Sequence, residues 1–534
     1  MRLKINLLAI LNCGFSILAG LLFINATFFN SSTAFLFSFG EQVRYFVLVT
    51  VIFCFLAFIV SFLKERFKYI DDFLREKHIF VVYGVMLVVF VLQITYAFLI
   101  HSSFEHDVEL IIWNAQVNRP DEFVWIEYFS LYPNNFLILF FFRLIHWVLA
   151  LFSIESQFLH ALTIVNIIFV NAAIILVFHA VKVAFDVFKG YIAWIFMLLL
   201  VAFSPWIIVP YSDTLSMPIV AGIVFLYVKL RNANKRHKIV YALSMGAVAQ
   251  IGYFIKPSSV IPLIAIILIQ LIVDLKVIRA NPKPKRTRSK KARTEYNIKY
   301  LSTYTLLAMI IVGTLFNSFI HSQNTIPFIE GVAFPAEHWI KMGMQRQVVG
   351  DRFSYGAYNA DDFFFTASFS STQEMRRADR EVIRERLSDF GIVGYGHFLV
   401  NKLRWITNDG TFHWGEFAQG NFEDITSMQS RFRNLVFPQG DGYAYFAHFM
   451  QGIWLFILFW YFVYVFRKKD SSDDFMNVCM CAIIGLFMFM LLTEGRSRYL
   501  INHLPLFAIT SAYCFSSISD SVKGVLKNRT VKDV

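Results

Sequence analysis

The amino-acid sequence predicts an all-α protein that crosses a membrane about twelve times, with a range of roughly eleven to thirteen crossings. The chain has 534 residues, of which 57% are hydrophobic, and its 61 phenylalanines are unusually many for a water-soluble fold. A helix needs about 20 mostly apolar residues to cross a hydrocarbon layer of about 30 Å. The runs that qualify or nearly qualify lie near 6–29, 44–63, 79–100, 160–182, 191–209, 214–231, 239–255, 258–274, 301–321, 446–466, 474–492 and 499–517.

The first apolar run follows Arg2 and Lys4 and resembles a secretory signal peptide. It is long, however, and lacks a clean small-x-small cleavage site, so we expect a retained anchor. All the cysteines lie inside predicted spans, which predicts neither a disulfide framework nor a zinc site. They are Cys13, Cys54, Cys479, Cys481 and Cys514.

The net charge of +12 is concentrated in short loops. Residues 276–299 carry ten Lys or Arg against a single acid, and 229–238 has the same character on a smaller scale. The positive-inside rule retains such loops in the cytoplasm and explains them better than nucleic-acid binding does. Contact with anionic lipid is compatible with the same charges.

The topology follows from three basic loops. If 64–78, 229–238 and 276–299 are cytoplasmic, then 101–135 and 322–445 lie on the outer face and both termini are cytoplasmic. The predicted organisation has four parts. These are 1–78 with two spans and a cytoplasmic loop, 79–321 as the membrane core, 322–445 as a small, mainly helical external subdomain, and 446–534 with the last spans and a cytoplasmic tail.

The apolar segment 136–152 complicates this topology. A full crossing there would place 229–238 outside, against its charge. We therefore expect the segment to lie along the outer face or to re-enter from it, which its Arg143 and His146 also allow.

The two outer segments carry their own helix signals. The loop 101–135 alternates aromatic with polar residues, which predicts short interfacial helices that end in a turn at "YPNN". In the longer segment, Ser371 is a predicted N-cap with Glu374 three residues later, and the following helix is expected to stop at Gly391. The stretch after that glycine is amphipathic and predicted to be interfacial.

Polar residues at helix mouths converge on the predicted outer side. A carboxylate beside lipid can act as a general base for a hydroxyl, and arginine and lysine bind phosphate. Together they indicate group transfer from a lipid phosphate, although each one alone could be a structural pair or a side chain reaching the interface. The residues are Asp107 in "FEHDVE", Asp213, Lys256, Glu494, Arg496 and Arg498.

Four short motifs carry a family resemblance: "YPNN" at 132–135, "YSDT" at 211–214, "HWIKMG" at 338–343 and "RYL" at 498–500. With them, most of 79–517 resembles the GT-C class of integral-membrane glycosyltransferases. The plan is similar to that of the protein O-mannosyltransferases and the aminoarabinose transferase of lipid A. The likeness is closer to membrane proteins of Gram-positive cell envelopes.

The resemblance implies a reaction at the outer face of a bacterial cell membrane. A monosaccharide would pass, with inversion, from a polyprenyl-phosphate donor to a teichoic acid, another glycan or a protein. The donor implies an upstream polyprenyl-phosphate sugar synthase and a flippase. No cofactor is required. Glu105, Asp107 and Asp213 leave room for a divalent metal, but no spacing here demands one.

The resemblance also implies roles for particular residues. Asp107 is the expected base, with Glu105 as the runner-up, and Asp213 matches a second acid of the class. Arg496, Arg498 and Lys256 are expected to bind the donor phosphate. The "YPNN" turn replaces a His-Pro-Pro or Lys-Pro-Pro turn, which leaves the donor sugar and the acceptor open. Further expected substrate contacts are Tyr132, Asn134, Tyr211, His338, Trp339, Lys341 and Glu494.

Two other classes of protein fit parts of the pattern. A transporter or lipid-linked sugar flippase would have many spans, but it predicts ionisable groups near the bilayer midplane. An envelope polysaccharide polymerase or ligase would also face outward, but it would use an oligosaccharide on a lipid diphosphate. The kind of donor that the protein consumes therefore distinguishes the transferase from the transporter and from the polymerase or ligase.

Overall fold

The structure confirms an all-α polytopic membrane protein. It is a computed structural model that describes residues 7–28, 38–117, 119–125, 127–280, 301–349, 352–420, 422–423, 425–465 and 473–530. Within these ranges, 11 helices are long and apolar enough to cross a membrane. The predicted basic loop 276–299 lies outside the described residues from 281 onwards. The cysteines are all free.

The helices of the first half follow the apolar runs. Several of them begin at a side chain or proline that suits a helix start, such as Asp186, which accepts a hydrogen bond from the Lys189 amide. In chain order they are α1 (Leu7–Phe28), α2 (Phe39–Arg66), α3 (Lys68–Glu76), α4 (His78–Leu99), α5 (His106–Gln116), α6 (Tyr128–Leu131), α7 (Phe136–Leu151), α8 (Phe158–Ala184), α9 (Val187–Met197), α10 (Ser212–Leu215), α11 (Met217–Arg231), α12 (Lys235–Ile255) and α13 (Ile261–Ala280).

The second half adds one long insertion between spans. Residues 323–442 separate α14 (Leu306–Ser322) from α19 (Tyr443–Val465), and we call this insertion the cap. The cap contains α15 (Ala336–Met342), α16 (Ala360–Ala367), α17 (Thr372–Thr407) and α18 (Ser427–Val436), with a hairpin of β1 (Arg346–Val349) and β2 (Arg352–Tyr355). The chain closes with α20 (Asp474–Leu492) and α21 (Leu504–Thr530).

The bundle has two distinct ends. At the cap end, the His101 ring stacks on that of His160 at 4.8 Å, which joins the end of α4 to the beginning of α8. At the opposite end, which we call the basic end, Lys182 near the end of α8 contacts His78 at the beginning of α4. The two helices are therefore antiparallel neighbours, and the cap lies over one end only.

Helix α7 agrees with the expectation for 136–152. Its length and composition would allow a crossing. However, the Phe140 ring contacts Phe319 at the cap end of α14, and the His146 ring contacts Phe158 at the start of α8. Because both contacts lie at the cap end, α7 packs along that end of the bundle and does not reach the opposite end.

Residues 191–209 differ from the single span predicted there. The α-helix α9 ends at Met197, and a π-helical turn (Leu198–Ala202) and a 3-10 turn (Pro205–Ile208) follow. Pro205 has no amide hydrogen to continue the helical ladder, which explains the break. The irregular backbone is held by neighbouring side chains, since Gln93 donates to the Ala202 carbonyl and Asn166 donates to that of Trp206.

The cap confirms the helix signals read from the sequence and adds a hairpin that was not predicted. The Ser371 hydroxyl accepts a hydrogen bond from the Glu374 amide, while the Glu374 carboxylate bonds back to the Ser370 amide. Helix α17 breaks at Gly391, whose φ of 57° lies in the region that glycine adopts most easily. The next residue, Ile392, is fully exposed, as expected for the predicted interfacial stretch.

Candidate functional site

Asp107 lies in the first turn of α5 at the cap end and is partly exposed. The residue before it, His106, has a φ of 59°, a strained value for a side chain with a Cβ. The approach to this turn is fixed by a two-residue ladder between 103–104 and 418–419 and by a hydrogen bond from the Glu105 amide to the Phe417 carbonyl. The fold thus holds His106, the residue just before Asp107, in a conformation that an isolated chain would rarely adopt.

Tyrosine hydroxyls surround the Asp107 carboxylate. Tyr211 donates a hydrogen bond to its Oδ2 at 3.0 Å. Tyr128 is fully buried beside it and receives a hydrogen bond from the Asn135 amide at 2.7 Å. Burial, and next the charge of Asp107, raise the pKa of Tyr128 and of Tyr211 well above the usual value. Both phenols therefore keep their protons and can donate.

Asp213 and Lys256 form an ion pair at the same end of the bundle. Asp213 is fully buried, and the Lys256 ammonium lies 4.7 Å from the centre of the Tyr499 ring. Burial lowers the pKa of Lys256, and the carboxylate of Asp213 opposes that shift. The charge of Lys256, which was expected to bind the donor phosphate, is therefore largely balanced by the predicted catalytic acid Asp213.

Arg498 differs from Lys256 in its partners. Its side chain is 9% exposed, and its guanidinium carbon lies 4.4 Å from the centre of the Phe417 ring, 5.1 Å from Tyr499 and 5.8 Å from Tyr211. Its Nε and Nη1 atoms have no hydrogen-bond partner among the described residues. A buried, weakly hydrated guanidinium with free N–H groups is suited to bind an anion.

The segment 493–499, which we call the site loop, connects α20 to the final helix. The Tyr499 hydroxyl donates to Glu494 at 2.7 Å, and Arg496 lies 3.9 Å from the same carboxylate oxygen. The Glu494 amide donates to the Trp339 carbonyl of the cap at 2.9 Å. The cap therefore fixes the backbone from which the predicted cations project.

Lys402 of the cap binds the site loop a second time. Its ammonium is fully buried and donates to the carbonyls of Gly343 at 2.6 Å, Leu491 at 3.1 Å and Thr493 at 2.5 Å. Burial lowers its pKa to about 7, while Glu494 raises it. Sequence reasoning missed this residue, because a lysine that caps carbonyls from distant segments has no local pattern.

The cap also contributes aromatic residues to the site. The Tyr132 ring, at the predicted "YPNN" turn, contacts the Trp339 ring at 5.8 Å. Burial, then Asp107 and Glu494, raise the pKa of Tyr358, which places its phenol near both carboxylates. Tyr358, Tyr128 and Phe417 were not predicted, since 18% of the chain is aromatic and no spacing distinguishes them.

The remaining predicted residues lie apart from this arrangement. Lys341 is fully buried inside the cap, 2.7 Å from Asp379, and His338 hydrogen-bonds Thr366 at 2.8 Å. Asn134 donates to Asn135, and Glu105 contributes its amide to the ladder beside Asp107.

The three acids that left room for a metal do not fit one. Asp213 is committed to Lys256, and Asp107 accepts from Tyr211. Within the part of the chain that the structure describes, no group of three or more metal-ligating side chains could hold an ion.

The comparison with known families agrees with the architecture. The model of a family described as "conserved hypothetical integral membrane protein" matches residues 5–519. The chain belongs to this family. A search of curated proteins finds no match. The match spans both the bundle and the cap, so the residues brought together at the cap end all lie within the family's extent.

In this integral membrane protein, eight residues from four chain segments therefore meet at the cap end. We call them the site cluster. They are Asp107, Tyr211, Asp213, Lys256, Glu494, Arg496, Arg498 and Tyr499.

Proposed function

We propose that this protein is a GT-C-type glycosyltransferase that moves a monosaccharide from a polyprenyl-phosphate donor to a cell-envelope acceptor. One observation carries the proposal. Tyr211 lies between a carboxylate and a guanidinium. Its hydroxyl donates to Asp107, and its ring lies 5.8 Å from the Arg498 guanidinium carbon. A base and an anion-binding group side by side are what transfer from a lipid phosphate requires.

Arg498 supplies the anion-binding half of the reaction. As the bond between sugar and phosphate breaks, negative charge grows on the phosphate oxygen, and fixed N–H donors in a water-poor site stabilise it. The free Nε and Nη1 of Arg498 are such donors. Lys256 adds less, because its charge is balanced by Asp213.

Asp107 supplies the base. The acceptor hydroxyl oxygen forms a bond to the anomeric carbon, its proton passes to Asp107, and the bond from that carbon to the phosphate oxygen breaks. The electron pair stays on the departing polyprenyl phosphate. A single displacement of this kind inverts the anomeric centre. The hydrogen bond from Tyr211 orients the carboxylate for it.

The basic loops support placing the cap on the outer face of a bacterial cell membrane. The positive-inside rule would keep 64–78 and 229–238 in the cytoplasm, opposite the cap. A donor used at the outer face must be made and flipped beforehand, so the proposal requires an upstream synthase and a flippase. Transport is less well supported, because the charges of the site cluster lie at helix ends.

The test compares donor consumption by three purified proteins. Native protein, Asp107→Asn and the control Glu109→Gln would be incubated with radiolabelled polyprenyl-phosphate hexoses and a cell-envelope extract. Glu109 is an exposed acid on the same helix. We expect the Asp107 variant alone to lose activity, by roughly 10²- to 10⁴-fold.

Two outcomes would contradict the proposal. Equal consumption by native protein and the Asp107 variant would remove Asp107 from the reaction. Consumption of only lipid-diphosphate oligosaccharides by the native protein would replace the transferase with a polymerase or ligase.

A further inference from the structure

A second cluster of cations lies at the basic end, away from the site cluster. It is formed where α4, α8 and α11 meet. We call it the lysine cluster, and its members are His78, His179, Lys182 and Lys229.

The imidazole that contacts Lys182 cannot neutralise it. His78 Nδ1 lies 2.7 Å from the Arg75 carbonyl, which only accepts, so Nδ1 carries the proton. Its Nε2 is then the acceptor for the Lys182 ammonium at 2.9 Å. The pair orients the ammonium while leaving its positive charge uncompensated.

The second lysine is held near the first by aromatic rings. The Lys229 ammonium lies 5.5 Å from the centre of the Phe225 ring, and that ring contacts His179 at 6.3 Å. Lys182 and Lys229 are both electrostatic neighbours of His179. Like charges gathered in this way repel each other, and the aromatic contacts fix their positions without removing that repulsion.

The paired acids at this end of the bundle bind other cations. Among the described residues, no carboxylate forms an ion pair with Lys182 or Lys229. Ion pairs that the described residues form there include Asp71 with Arg75, Asp186 with Lys189, and Asp473 with Arg231.

The surface beside the lysine cluster is apolar and open. Phe80 on α4 is 75% exposed, and Leu87 two turns further along is 65% exposed. Tyr83 lies between them and shares a hydrogen bond with His179 at 3.2 Å. In a membrane protein such a surface faces acyl chains, so the cations lie where a lipid headgroup would be.

We propose that the lysine cluster binds the phosphate of an anionic membrane lipid. Two ammonium groups fit phosphate oxygens, and the apolar flank of α4 fits the acyl chains. The occupant therefore comes from the membrane and not from solution. Such a site is independent of the proposed transfer reaction and lies at the other end of the bundle.

The test measures thermal stabilisation of the detergent-solubilised protein by added lipid. A ligand that binds only the folded state raises the melting temperature with its concentration, which yields an apparent affinity. The additions would be phosphatidylglycerol, phosphatidylcholine and inorganic phosphate. The proteins would be native, Lys182→Gln/Lys229→Gln, Lys182→Arg/Lys229→Arg and the control Lys235→Gln/Arg236→Gln, whose two residues are exposed at the same end.

We expect phosphatidylglycerol to stabilise the native protein more than phosphatidylcholine does. The glutamine pair should lose apparent affinity roughly 25-fold, from about fivefold per lysine, while the arginine pair and the control keep it. Equal weakening of the control would show general surface charge and overturn the site. Equal stabilisation by the two lipids would also overturn it, and equal stabilisation by inorganic phosphate would overturn the lipid as its source.

Discussion

Buried charges have different partners in the cap interior and in the site cluster. Inside the cap, Lys341 pairs with Asp379 at 2.7 Å, and Arg386 donates two hydrogen bonds of 2.9 and 2.7 Å to Asp362. In the site cluster, Arg498 has no carboxylate partner among the described residues. A buried charge is costly unless it is paired, so paired charges indicate a role in the fold and an unpaired one indicates a missing ligand.

Lys402 lies between these two cases. Lys402 has no carboxylate partner in the described part of the chain, but its three carbonyl acceptors satisfy its three N–H donors. Carbonyl dipoles leave no N–H group for a substrate. We therefore place Lys402 with the residues that hold the site loop in position.

The largest effect should come from breaking a pair in the cap. Lys341→Met leaves the fully buried Asp379 without its cation, which we expect to destabilise the cap by roughly 3–5 kcal/mol. Unfolding of the purified protein measures this. Lys341→Met combined with Asp379→Leu should recover much of the loss, because no isolated charge remains.

The activity of the same variants shows whether the cap network also serves the reaction. The double variant should still consume donor, since neither residue belongs to the site cluster. A double variant that is stable but inactive would show that the cap network serves the reaction and is not limited to a role in the fold.

The next effect should come from Arg498. Arg498→Gln removes charge-assisted hydrogen bonds worth about 1.5–3 kcal/mol, so we expect donor binding to weaken by roughly ten- to a hundredfold. Stability should fall less than in Lys341→Met, because Arg498 packs against aromatic rings and forms no direct ion pair among the described residues. Titration of a polyprenyl-phosphate sugar together with thermal unfolding checks both. Lost stability with unchanged donor affinity would assign Arg498 to the fold.

The sequence predicted the bundle well because crossing a bilayer imposes a local rule. Every apolar run longer than about 20 residues became a helix, and the basic loops indicated which ends share a side. The predicted single span at 191–209 is interrupted before Pro205. The backbone carbonyls around this break are hydrogen-bonded by side chains of α4 and α8, and such distant contacts cannot be read from the local sequence.

The site was predictable in part for a different reason. Charged residues at helix ends are rare enough to notice, so Asp107, Asp213 and Arg498 were found. The partners that separate their roles come from far along the chain. Asp379, for example, lies 38 positions from Lys341 in the sequence, and nothing local marks the two as a pair.

A smaller effect concerns pH and the cap. Burial, then the charge of Lys341, lower the pKa of His338 to about 3. Its unfolded value is about 6.5, so the unfolded chain binds an extra proton as the pH falls below that value, and stability is lost between about 6.5 and 3. From pH 7 to pH 5 this loss is about 2 kcal/mol. His338→Asn should remove that part of the pH dependence of unfolding, whereas an unchanged dependence would show that His338 is protonated when folded.

The smallest effect should come from Tyr211, which contacts both halves of the proposed reaction. Tyr211→Phe keeps the ring beside Arg498 but removes the hydrogen bond to Asp107, which is worth about 1–1.5 kcal/mol. We expect donor turnover to fall about tenfold with unchanged donor affinity, because the phosphate is bound by the guanidinium and the phenol acts on the base. The control Tyr132→Phe alters a ring that contacts the cap instead and should change turnover less. If Tyr211→Phe weakened donor binding and left turnover unchanged, the phenol would belong to the anion site, and Asp107 would have to be oriented by Tyr128.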